Sequence, residues 1–527
     1  MKKLLLYCTL FIFLTHAKAQ KSPEYLWGRN AGDVAISSGY GNKIHSVSIF
    51  QDSASINGQT FIGSGGNDIL ITQSTSTGQH IWTKHYGGIY DEYVYAITTD
   101  INGNIYISGQ FSTQTIFGND TLNGSGSDNI FLLKLDKSGT VIWCKAITDG
   151  YYNHIQNNIA ADNSGNILMS ASITIGDGDT ITLGQDHFIG DNSEDIYLIK
   201  YSSDGDIVWA KREGGNKNDR TYGITTDKDN NIYTSGYFTD TAYFGHGMYT
   251  SHTPQGSIYF AKYDSSGNIQ YLKTPKRGGN GTGLDITFSD DGYLYMCGTV
   301  SDTTVLGNDT IKPTSNVALL VKYDEYGNVI WAKQYPSTKH QNAFRVITDN
   351  NNDIYLVILY GNTSLAKFSK DGDLVWSNET IPPAPWPVSV QGISRDKNGG
   401  IFITGTYDNK HNIFGNDTLY SSSQGLYQPG YIAKVGAYPL TIERSETIPR
   451  YTLYPNPNNG IFQISGNDLK GYFNYEVVNT SGQVAYKSKI QIIDNSVPIS
   501  IQELPPGLYI LKMYSKKDVY SISFQLK

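Results

Sequence analysis

The sequence has few charged residues, few cysteines and no long apolar run beyond its N-terminus. Charged residues make up 17% of the 527 residues, against about 25% in typical soluble domains, which argues against disorder and against a coiled coil. Three cysteines are too few for a disulfide framework. The formal net charge of −8 argues against a nucleic-acid partner, because that role requires a basic stripe.

Glycine and tyrosine are abundant instead. The chain contains 55 Gly, 40 Tyr and 7 Trp, a composition typical of many short strands joined by tight turns. Hydrophobic residues account for 39% of this long chain, which is enough to bury a large core. No metal or cofactor is therefore needed to hold the fold, and we predict none.

The first 19 residues have the pattern of an export signal. Lys2 and Lys3 precede an apolar run over residues 4–14, and residues 17–19 provide the small residues that a signal peptidase requires. This run of about eleven residues is too short to cross a bilayer of ~30 Å. We expect the mature chain to begin at Gln20 and to contain no transmembrane segment.

One unit of four strands recurs along the chain. Its fullest copy, residues 91–145, contains strand A ending in Asp, strand B in GNIYISG, strand C in NIFLLKLD and strand D in TVIW. Strand D recurs at intervals near 60 residues, with Tyr271 replacing one tryptophan. The tryptophans are Trp82, Trp143, Trp209, Trp331 and Trp376. A period near 60 with alternating strands is typical of propeller blades and not of helical solenoids.

The strand count predicts how the repeats close. Seven A-B-C sets are present, but only six are followed by a strand D, and the seventh ends at residues 431–435. A D-like segment without a repeat of its own lies at residues 24–28. Because an open sheet edge invites aggregation, we expect this segment to complete the last sheet. The predicted fold is all-β: a seven-bladed β-propeller over residues 20–438, closed by an N-terminal strand.

The remaining cysteines and the Asp-rich turns have structural interpretations. Cys144 and Cys297 occupy strand positions where other repeats carry small residues, so we expect buried fillers. Turns such as residues 100–104 resemble the start of a calcium loop but lack its Glu at position twelve. They lie between strands A and B, where tight hairpins need residues that tolerate φ > 0. We predict turns and no metal site.

The repeat resembles the SBBP family of seven-bladed propeller repeats in exported bacterial proteins. The D..GNIY.SG core, the FG.DTL loop and the K.D.SG..W hairpin carry this resemblance over residues 24–437. The family implies a fold and no single reaction, since propellers host enzymes, receptors and scaffolds alike.

After a linker at residues 439–450, residues 451–527 alternate strands and turns, which predicts a small antiparallel sandwich. This segment resembles the type A sorting domain of the type IX secretion system. The matching residues include Pro455, Asn456, Pro457, Gly460, Gly482, Gly507, Tyr509 and Lys527. The resemblance implies a Bacteroidota host, the type IX machinery as a partner, and an extracellular or outer-membrane location reached after Sec export.

Ligand-binding candidates lie in the D-to-A connections, which share the axial face of a propeller with the B-to-C loops. Aromatic, Arg and His side chains there stack on sugars or grip a peptide, and simple loop filling is the alternative. The candidates are Tyr90, Tyr152, His154, Arg220, Tyr222, Arg277, His340 and Trp386.

Catalytic motifs are absent from the sequence. It contains no H-E-x-x-H or G-x-S-x-G pattern. The D..G..W hairpins also resemble quinone-dependent dehydrogenase propellers, but this chain lacks their adjacent cysteine pair and calcium cluster. We predict an exported, non-catalytic binding or scaffold module for a surface glycan or protein ligand. The alternative is a secreted propeller enzyme that acts on glycans or peptides at the axial face.

Asp-Ser/Thr triplets follow strand B, and we expect them in outer loops. They resemble the D-[ST]-aliphatic sites that are O-glycosylated in the same bacterial phylum, although inheritance of the repeat explains several copies equally well. The candidate sites are Ser53, Thr121, Thr180, Thr241, Thr303, Thr310 and Thr418.

Overall fold

The structure is a computed structural model, and every regular element among its described residues is a β-strand. The described residues are 25–30, 35–39, 41–124, 129–147, 156–335, 342–360, 362–378, 390–406, 411–414, 417–420, 430–435, 451–454, 458–466, 471–479, 484–492, 496–501, 504–514 and 519–527. The chain divides into two compact units, residues 1–439 and 440–527. Within the described ranges, no helix is long and apolar enough to cross a membrane. The predicted leader (residues 1–19) and linker (439–450) lie outside these ranges.

The strands of the first unit follow the repeat order. The first three groups are β1 (Tyr25–Asn30), β2 (Ala35–Gly39), β3 (Lys43–Phe50), β4 (Ser53–Ile56), β5 (Gln59–Ile62), β6 (Asp68–Thr75), β7 (His80–Tyr86); β8 (Glu92–Thr99), β9 (Ile105–Phe111), β10 (Gln114–Phe117), β11 (Asp120–Asn123), β12 (Asn129–Leu135), β13 (Val141–Ile147); and β14 (Gln156–Ala161), β15 (Ile167–Thr174), β16 (Thr180–Leu183), β17 (Asp186–Ile189), β18 (Glu194–Tyr201), β19 (Ile207–Gly215).

The next four groups are β20 (Arg220–Thr226), β21 (Ile232–Phe238), β22 (Thr241–Phe244), β23 (Gly247–Thr250), β24 (Ser257–Tyr263), β25 (Ile269–Lys273); β26 (Gly281–Phe288), β27 (Leu294–Val300), β28 (Thr304–Leu306), β29 (Asp309–Ile311), β30 (Val317–Tyr323), β31 (Val329–Gln334); β32 (Asn342–Thr348), β33 (Ile354–Tyr360), β34 (Asn362–Phe368), β35 (Leu374–Asn378); and β36 (Gly392–Arg395), β37 (Ile401–Thr406), β38 (His411–Phe414), β39 (Asp417–Tyr420), β40 (Gly430–Val435).

The described residues of this unit form seven antiparallel arrays of four strands each, called sheets 1 to 7 in chain order. They are β2-β3-β6-β7, β8-β9-β12-β13, β14-β15-β18-β19, β20-β21-β24-β25, β26-β27-β30-β31, β32-β33-β34-β35 and β36-β37-β40-β1. Sheet 3 is extended by the β22-β23 hairpin, which pairs with the end of β19 and brings that sheet to six strands. The first strand of each sheet contacts the first strand of the next, and β36 contacts β2. The first strands therefore surround an axis, and the fourth strands lie at the periphery of a propeller-like arrangement.

Each central strand is buried on both faces because its sheet lies between two others. In β9, Ile105 and Ile107 share an apolar cluster with sheet 1, whereas Tyr106 shares one with Ile167 and Met169 of sheet 3. Tyr106 and its two neighbours are fully buried. This two-sided burial explains why strand B is apolar at consecutive positions.

Neighbouring sheets are joined at the periphery by a repeated pair of hydrogen bonds, called the clasp. Lys134 Nζ and Trp143 Nε1 both donate to the main-chain carbonyl of Ser203 in the next sheet, at 2.6 and 3.1 Å. The lysine half of the clasp recurs at Lys200 with Ser265, Lys322 with Lys370, and Lys434 with Ser76. The last of these bonds joins sheet 7 to sheet 1.

Sheet 6 uses its equivalent lysine differently. Lys367 Nζ lies 3.1 Å from Asp349 and 2.9 Å from Asp353, both in the first turn of its own sheet. The lysine is buried, so this local pairing supplies the compensating charge that burial requires.

Strand β1 completes sheet 7 from the opposite end of the repeats. It pairs antiparallel with β40, with Tyr25 opposite Val435 and Gly28 opposite Ala433. This is the pairing predicted from the strand count. It covers the edge that β40 would otherwise leave open.

The Asp-rich turns are held by their own carboxylates. Asp100 Oδ1 accepts the amide hydrogens of Asn102 and Asn104, each at 2.9 Å, and Oδ2 accepts the Asn104 side-chain amide at 2.7 Å. Asp162 and Asp227 repeat these bonds. The resemblance to a calcium loop is therefore explained by turn formation. Within the described ranges, no three His, Cys, Asp or Glu side chains are grouped to hold a metal ion.

The two cysteines among the described residues, Cys144 and Cys297, are free thiols. Cys297 is buried, and Cys144 is partly buried. Burial raises the pKa of the Cys144 thiol to about 11 and that of Cys297 well above its usual range.

The expectation that the Asp-Ser/Thr triplets lie in outer loops is wrong for six of the seven, because their Ser or Thr lies in a strand of a hairpin between the second and third strands. Thr303 lies just before β28, outside the strand. The hairpins are β4-β5, β10-β11, β16-β17, β22-β23, β28-β29 and β38-β39. The left-handed φ of 55° at Asp52 and 58° at Asp240 gives Asp a conformational reason to recur. Asp52 also accepts the Gly63 amide hydrogen at 2.8 Å, which closes its hairpin.

The second unit contains two antiparallel sheets, β41-β42-β45 and β44-β43-β46-β47. Its strands are β41 (Tyr451–Tyr454), β42 (Ile461–Gly466), β43 (Gly471–Asn479), β44 (Val484–Ile492), β45 (Ser496–Ser500), β46 (Gly507–Tyr514) and β47 (Val519–Leu526). Ile464 of the first sheet and Val477, Leu511 and Phe524 of the second share one buried apolar cluster. This cluster gives the unit a core of its own.

Candidate ligand-binding face

Four of the eight predicted ligand-binding residues belong to the described ranges: Tyr90, Arg220, Tyr222 and Arg277. The other four lie outside them, namely Tyr152, His154, His340 and Trp386. Only Arg220 and Tyr222 share an element, because both lie at the start of β20.

The Arg220 guanidinium is fixed by a buried carboxylate. Its Nε donates to Glu194 Oε2 at 2.6 Å, and the Arg220 side chain retains 29% of its exposure whereas that of Glu194 retains 4%. The pKa of Arg220 is raised overall. Burial lowers it, but the hydrogen bonds with Tyr222 and Glu194 raise it by more than burial lowers it. The guanidinium is therefore a permanently charged group held in one orientation with an accessible surface.

Tyr222 occupies a β-bulge. The register of β20 against β21 shifts between Thr221 and Gly223, so Tyr222 has no partner opposite it in the ladder. Its ring stacks on that of Tyr237, with centroids 6.4 Å apart and planes at 27°. Bulges redirect side chains and are frequent beside functional sites. Here the bulge places a partly exposed ring pair beside Arg220.

The same bulge recurs in three other first strands. Register shifts place Tyr95 in β8, Leu284 in β26 and Phe344 in β32 at the position of Tyr222. All four side chains are partly buried. We call these four residues the axial collar, since first strands surround the axis. Sheets 1, 3 and 7 show no such shift in their described register.

Two opposite charges follow the collar residues of sheets 5 and 6. Asp285 and Arg345 each come directly after the bulge. Asp285 Oδ2 accepts the Val346 amide hydrogen at 3.0 Å, and the Arg345 guanidinium lies 4.2 Å from the Phe344 ring centroid. Burial raises the pKa of Asp285, and Arg345 opposes that rise. This part of the axis combines an aromatic ring with paired charges.

Arg277 and Tyr90 lie in connections between sheets and not in the collar. The Arg277 carbonyl accepts the Val305 amide hydrogen at 2.9 Å, so its main chain pairs with the β28-β29 hairpin while its side chain is exposed. Tyr90 precedes β8 and is 40% exposed. Neither forms a hydrogen bond or ion pair with Arg220 in the described structure, so the four described candidates do not form one cluster.

Sequence reasoning missed Glu194, Tyr237 and the collar residues other than Tyr222. A bulge is defined by pairing with another strand, so single-strand patterns do not reveal it. One sequence signal was available: an aromatic or large apolar residue occurs at Tyr95, Leu284 and Phe344, near the start of strand A in successive repeats.

The sorting residues within the described ranges have structural tasks in the second unit. The Gly460 amide donates to Asn458 Oδ1 at 2.8 Å, and its left-handed φ of 90° suits glycine. Tyr509 donates to the Pro505 carbonyl at 2.9 Å, and the Lys527 amide donates to Asn458 at 2.8 Å. Gly507 begins β46. The remaining sorting residues lie outside the described ranges: Pro455, Asn456, Pro457 and Gly482.

The predicted modification sites differ in exposure. Thr241 is partly buried, and only the backbone of Thr418 is described, in β39. The exposed candidates are Ser53, Thr121, Thr180, Thr303 and Thr310. Modification of these hydroxyl groups stays a prediction.

Residues 452–526 match the family model of the secretion system C-terminal sorting domain. Such a domain implies interaction with the type IX secretion machinery and an extracellular or cell-surface location. The chain is also 25% identical over 217 residues to an uncharacterized WD repeat-containing protein of Acanthamoeba polyphaga mimivirus. That match covers 36% of this chain and only 15% of the viral protein.

Several solved structures are similar at low identity. PorZ, a surface component of the type IX secretion system of Porphyromonas gingivalis, is 11% identical with a TM-score of 0.26, over 94% of this chain and 81% of PorZ. Sqt1 from Chaetomium thermophilum is 9% identical with a TM-score of 0.39, over 79% of this chain and 99% of Sqt1. The Pan2 WD40 domain from Neurospora crassa is 8% identical with a TM-score of 0.38, over 78% and 90%. Similarities this low carry no argument about activity.

Proposed function

We propose that this chain is a seven-bladed β-propeller of the SBBP repeat type that acts outside the cell as a non-catalytic binding module. The seven four-stranded sheets, the contacts among their first strands and the pairing of β1 with β40 support this proposal. Full closure protects such a protein from edge-to-edge aggregation after export.

Delivery follows from the two ends of the sequence. The leader over residues 1–19 would direct Sec export in a Bacteroidota host, and the type IX machinery would recognise the C-terminal domain. That domain, with two sheets around its own core, would be a sandwich that is removed on attachment or release. The binding function then belongs to the first unit alone.

The axial collar is the observation that carries the binding proposal. Tyr222 and Tyr237 offer partly exposed rings, and Glu194 fixes the guanidinium of Arg220 beside them. A preorganised ligand site loses little conformational entropy on binding. Aromatic faces and a fixed multiple hydrogen-bond donor suit a glycan or a protein loop.

The alternative enzyme would use the same face. Among the collar's immediate neighbours, Asp285 is a carboxyl group with a raised pKa. It already accepts the Val346 amide hydrogen and lies beside Arg345, which gives it a structural task. We therefore favour recognition over catalysis.

A ligand screen tests this proposal. The exported protein is applied to a glycan array and used to capture proteins from the cell surface, and each bound species is then incubated with the protein and analysed by mass spectrometry. We expect retention of an unchanged ligand. Turnover of the ligand would establish the enzyme instead, and a protein that binds nothing in either assay would contradict the binding proposal.

A further inference from the structure

The connection between sheets 3 and 4 contains a buried acid pair with a permanent cation. Asp195 Oδ2 accepts a hydrogen bond from Arg212 Nε at 2.8 Å, and Arg212 Nη2 also contacts it. Asp219 accepts the amide hydrogens of Gly215 and Thr239 at 2.7 and 2.8 Å. Both carboxyl groups are buried. We call this connection the Arg212 joint.

The connection between sheets 1 and 2 has the same design with one replacement. Asp68 occupies the position of Asp195 and Glu92 that of Asp219, both fully buried. His85 replaces Arg212, since each lies three residues after the tryptophan of its fourth strand. We call this connection the His85 joint.

A glycine confirms that the two joints correspond. A Cβ atom on Gly87 would lie 1.9 Å from Asp68 Oδ1, and one on Gly214 would lie 2.1 Å from Asp195 Oδ1. In each joint, the second acid lies within 3 Å of the same point. Both glycines thus allow two carboxyl groups to approach the main chain closely.

The His85 joint lacks a fixed positive charge. His85 Nε2 lies 3.4 Å from Asp68 Oδ1. Neither atom has a hydrogen-bond partner in the described structure. Glu92 Oε1 is likewise buried without a partner. The groups facing Glu92 are Asp68 and Asp91, together with the Thr115 hydroxyl and the Gly88 amide. His85 faces Asp68. An ionised Glu92 would therefore be a second buried negative charge beside Asp68.

We propose that the His85 joint is a proton-dependent contact between sheets 1 and 2, closed while Glu92 carries a proton and loosened when Glu92 ionises. The Arg212 joint is its internal counterpart, in which the guanidinium balances one carboxylate at every physiological pH.

The direction of the pH effect follows from the pKa of Glu92. Burial raises it to about 8; the nearby Thr115 hydroxyl and the Gly88 amide oppose the rise, and Asp68 and Asp91 add to it. A carboxyl pKa above its usual value near 4.5 means that the closed joint binds a proton which the open joint releases. Its stabilisation is complete below about pH 4.5 and is lost as pH rises through about 8.

The acids of the Arg212 joint are expected to lose their protons at lower pH than Glu92 does. Burial raises the pKa of Asp219 to about 7, with Asp195 and Asp191 adding to it, and burial raises that of Asp195 to about 6 against the opposing effect of Arg212. Between pH 8 and pH 9 this joint should therefore change little, whereas Glu92 still releases its proton.

Hydrogen exchange on the intact protein tests this proposal. We expect the protection factor of the segment 85–92, corrected for the intrinsic exchange rate, to fall at least about tenfold between pH 6 and pH 9. From pH 8 to pH 9, it should fall more than that of the segment 212–219. Equal protection of segment 85–92 at pH 6 and pH 9 would overturn the proposal.

Two variants separate the proton from general alkaline loosening. Glu92→Gln imitates the protonated acid and should hold the protection of segment 85–92 constant, while His85→Arg copies the other joint and should reduce the loss toward that of segment 212–219. An undiminished loss in a folded Glu92→Gln protein would contradict the proposal. If that variant does not fold, the comparison of the two segments in the unmodified protein still decides the question.

Discussion

The periphery and the axis of the first unit follow opposite rules. At the periphery, the clasp repeats: Lys134 and Lys200 each donate to the turn carbonyl of the next sheet, at 2.6 and 3.2 Å. At the axis, the collar position changes its chemistry, with tyrosine in two sheets and Leu284 and Phe344 in the others. Residues that the repeat preserves hold neighbouring sheets together, whereas the residues that vary around the axis are the ones we propose to contact a ligand.

The joints extend this comparison. Gly87 and Gly214 are preserved and fix the geometry, but the basic side chain beside them is His85 in one joint and Arg212 in the other. The repeat architecture thus provides two copies of one contact that differ in their basic side chain, and we propose that they titrate over different pH ranges.

The largest stability effect is expected at a preserved glycine. Gly214→Ala would place a Cβ 2.1 Å from Asp195 at a φ of 140°, which should cost about 3 kcal/mol or more. Its matched control is Gly165→Ala, where φ is 81° and no atom lies within 4 Å, so only conformational strain of about 1 kcal/mol is expected. Urea unfolding measures both values, and equal losses would refute the steric argument.

A smaller effect is expected from the clasp. Lys322→Met removes the hydrogen bond to the Lys370 carbonyl at 3.2 Å and the contact with the Tyr293 ring at 4.0 Å. The free energy of unfolding should fall by about 1–2 kcal/mol. Lys312→Met, at an exposed position, should change it by less than about 0.5 kcal/mol. An unchanged unfolding midpoint in Lys322→Met would remove the clasp from the account.

The smallest effect concerns the thiols. Because burial raises the pKa of Cys144 to about 11, less than about 1% of it is thiolate at pH 8, and Cys297 is more deeply buried. Alkylation of the folded protein should be slower than that of a model thiol by about a factor of ten or more. Mass spectrometry of the iodoacetamide-treated protein measures this rate, and rapid labelling of Cys297 would contradict its buried position.

Much of the architecture was predictable because the same four-strand pattern recurs in each repeat. The spacing of Trp82, Trp143 and Trp209 indicates the four-stranded unit, and the segment at residues 24–28 indicates the partner of β40. These signals are local patterns with a fixed period, which a sequence displays directly.

The site was predictable only in part because it depends on register and burial. Arg220 and Tyr222 stand out as polar and aromatic residues of a connection, but Glu194 and Tyr237 come from other strands. The triplets at Ser53 and Thr121 suggested loops, since the sequence does not show that Asp52 closes a hairpin. The alignment of His85 with Arg212 was visible, but its meaning required the buried acids beside them.

The central claim is that residues at the axis bind a ligand, whereas residues at the periphery hold neighbouring sheets together. The most direct test measures ligand affinity and unfolding free energy together in Tyr222→Ala and Lys322→Met, using the ligand found by the screen and Tyr243→Ala, 53% exposed on the β22-β23 hairpin, as the control. We predict that Tyr222→Ala weakens binding at least about tenfold with a stability change below about 1 kcal/mol. Lys322→Met should lower the free energy of unfolding by about 1–2 kcal/mol and leave the affinity unchanged. Undiminished binding by Tyr222→Ala would contradict the account.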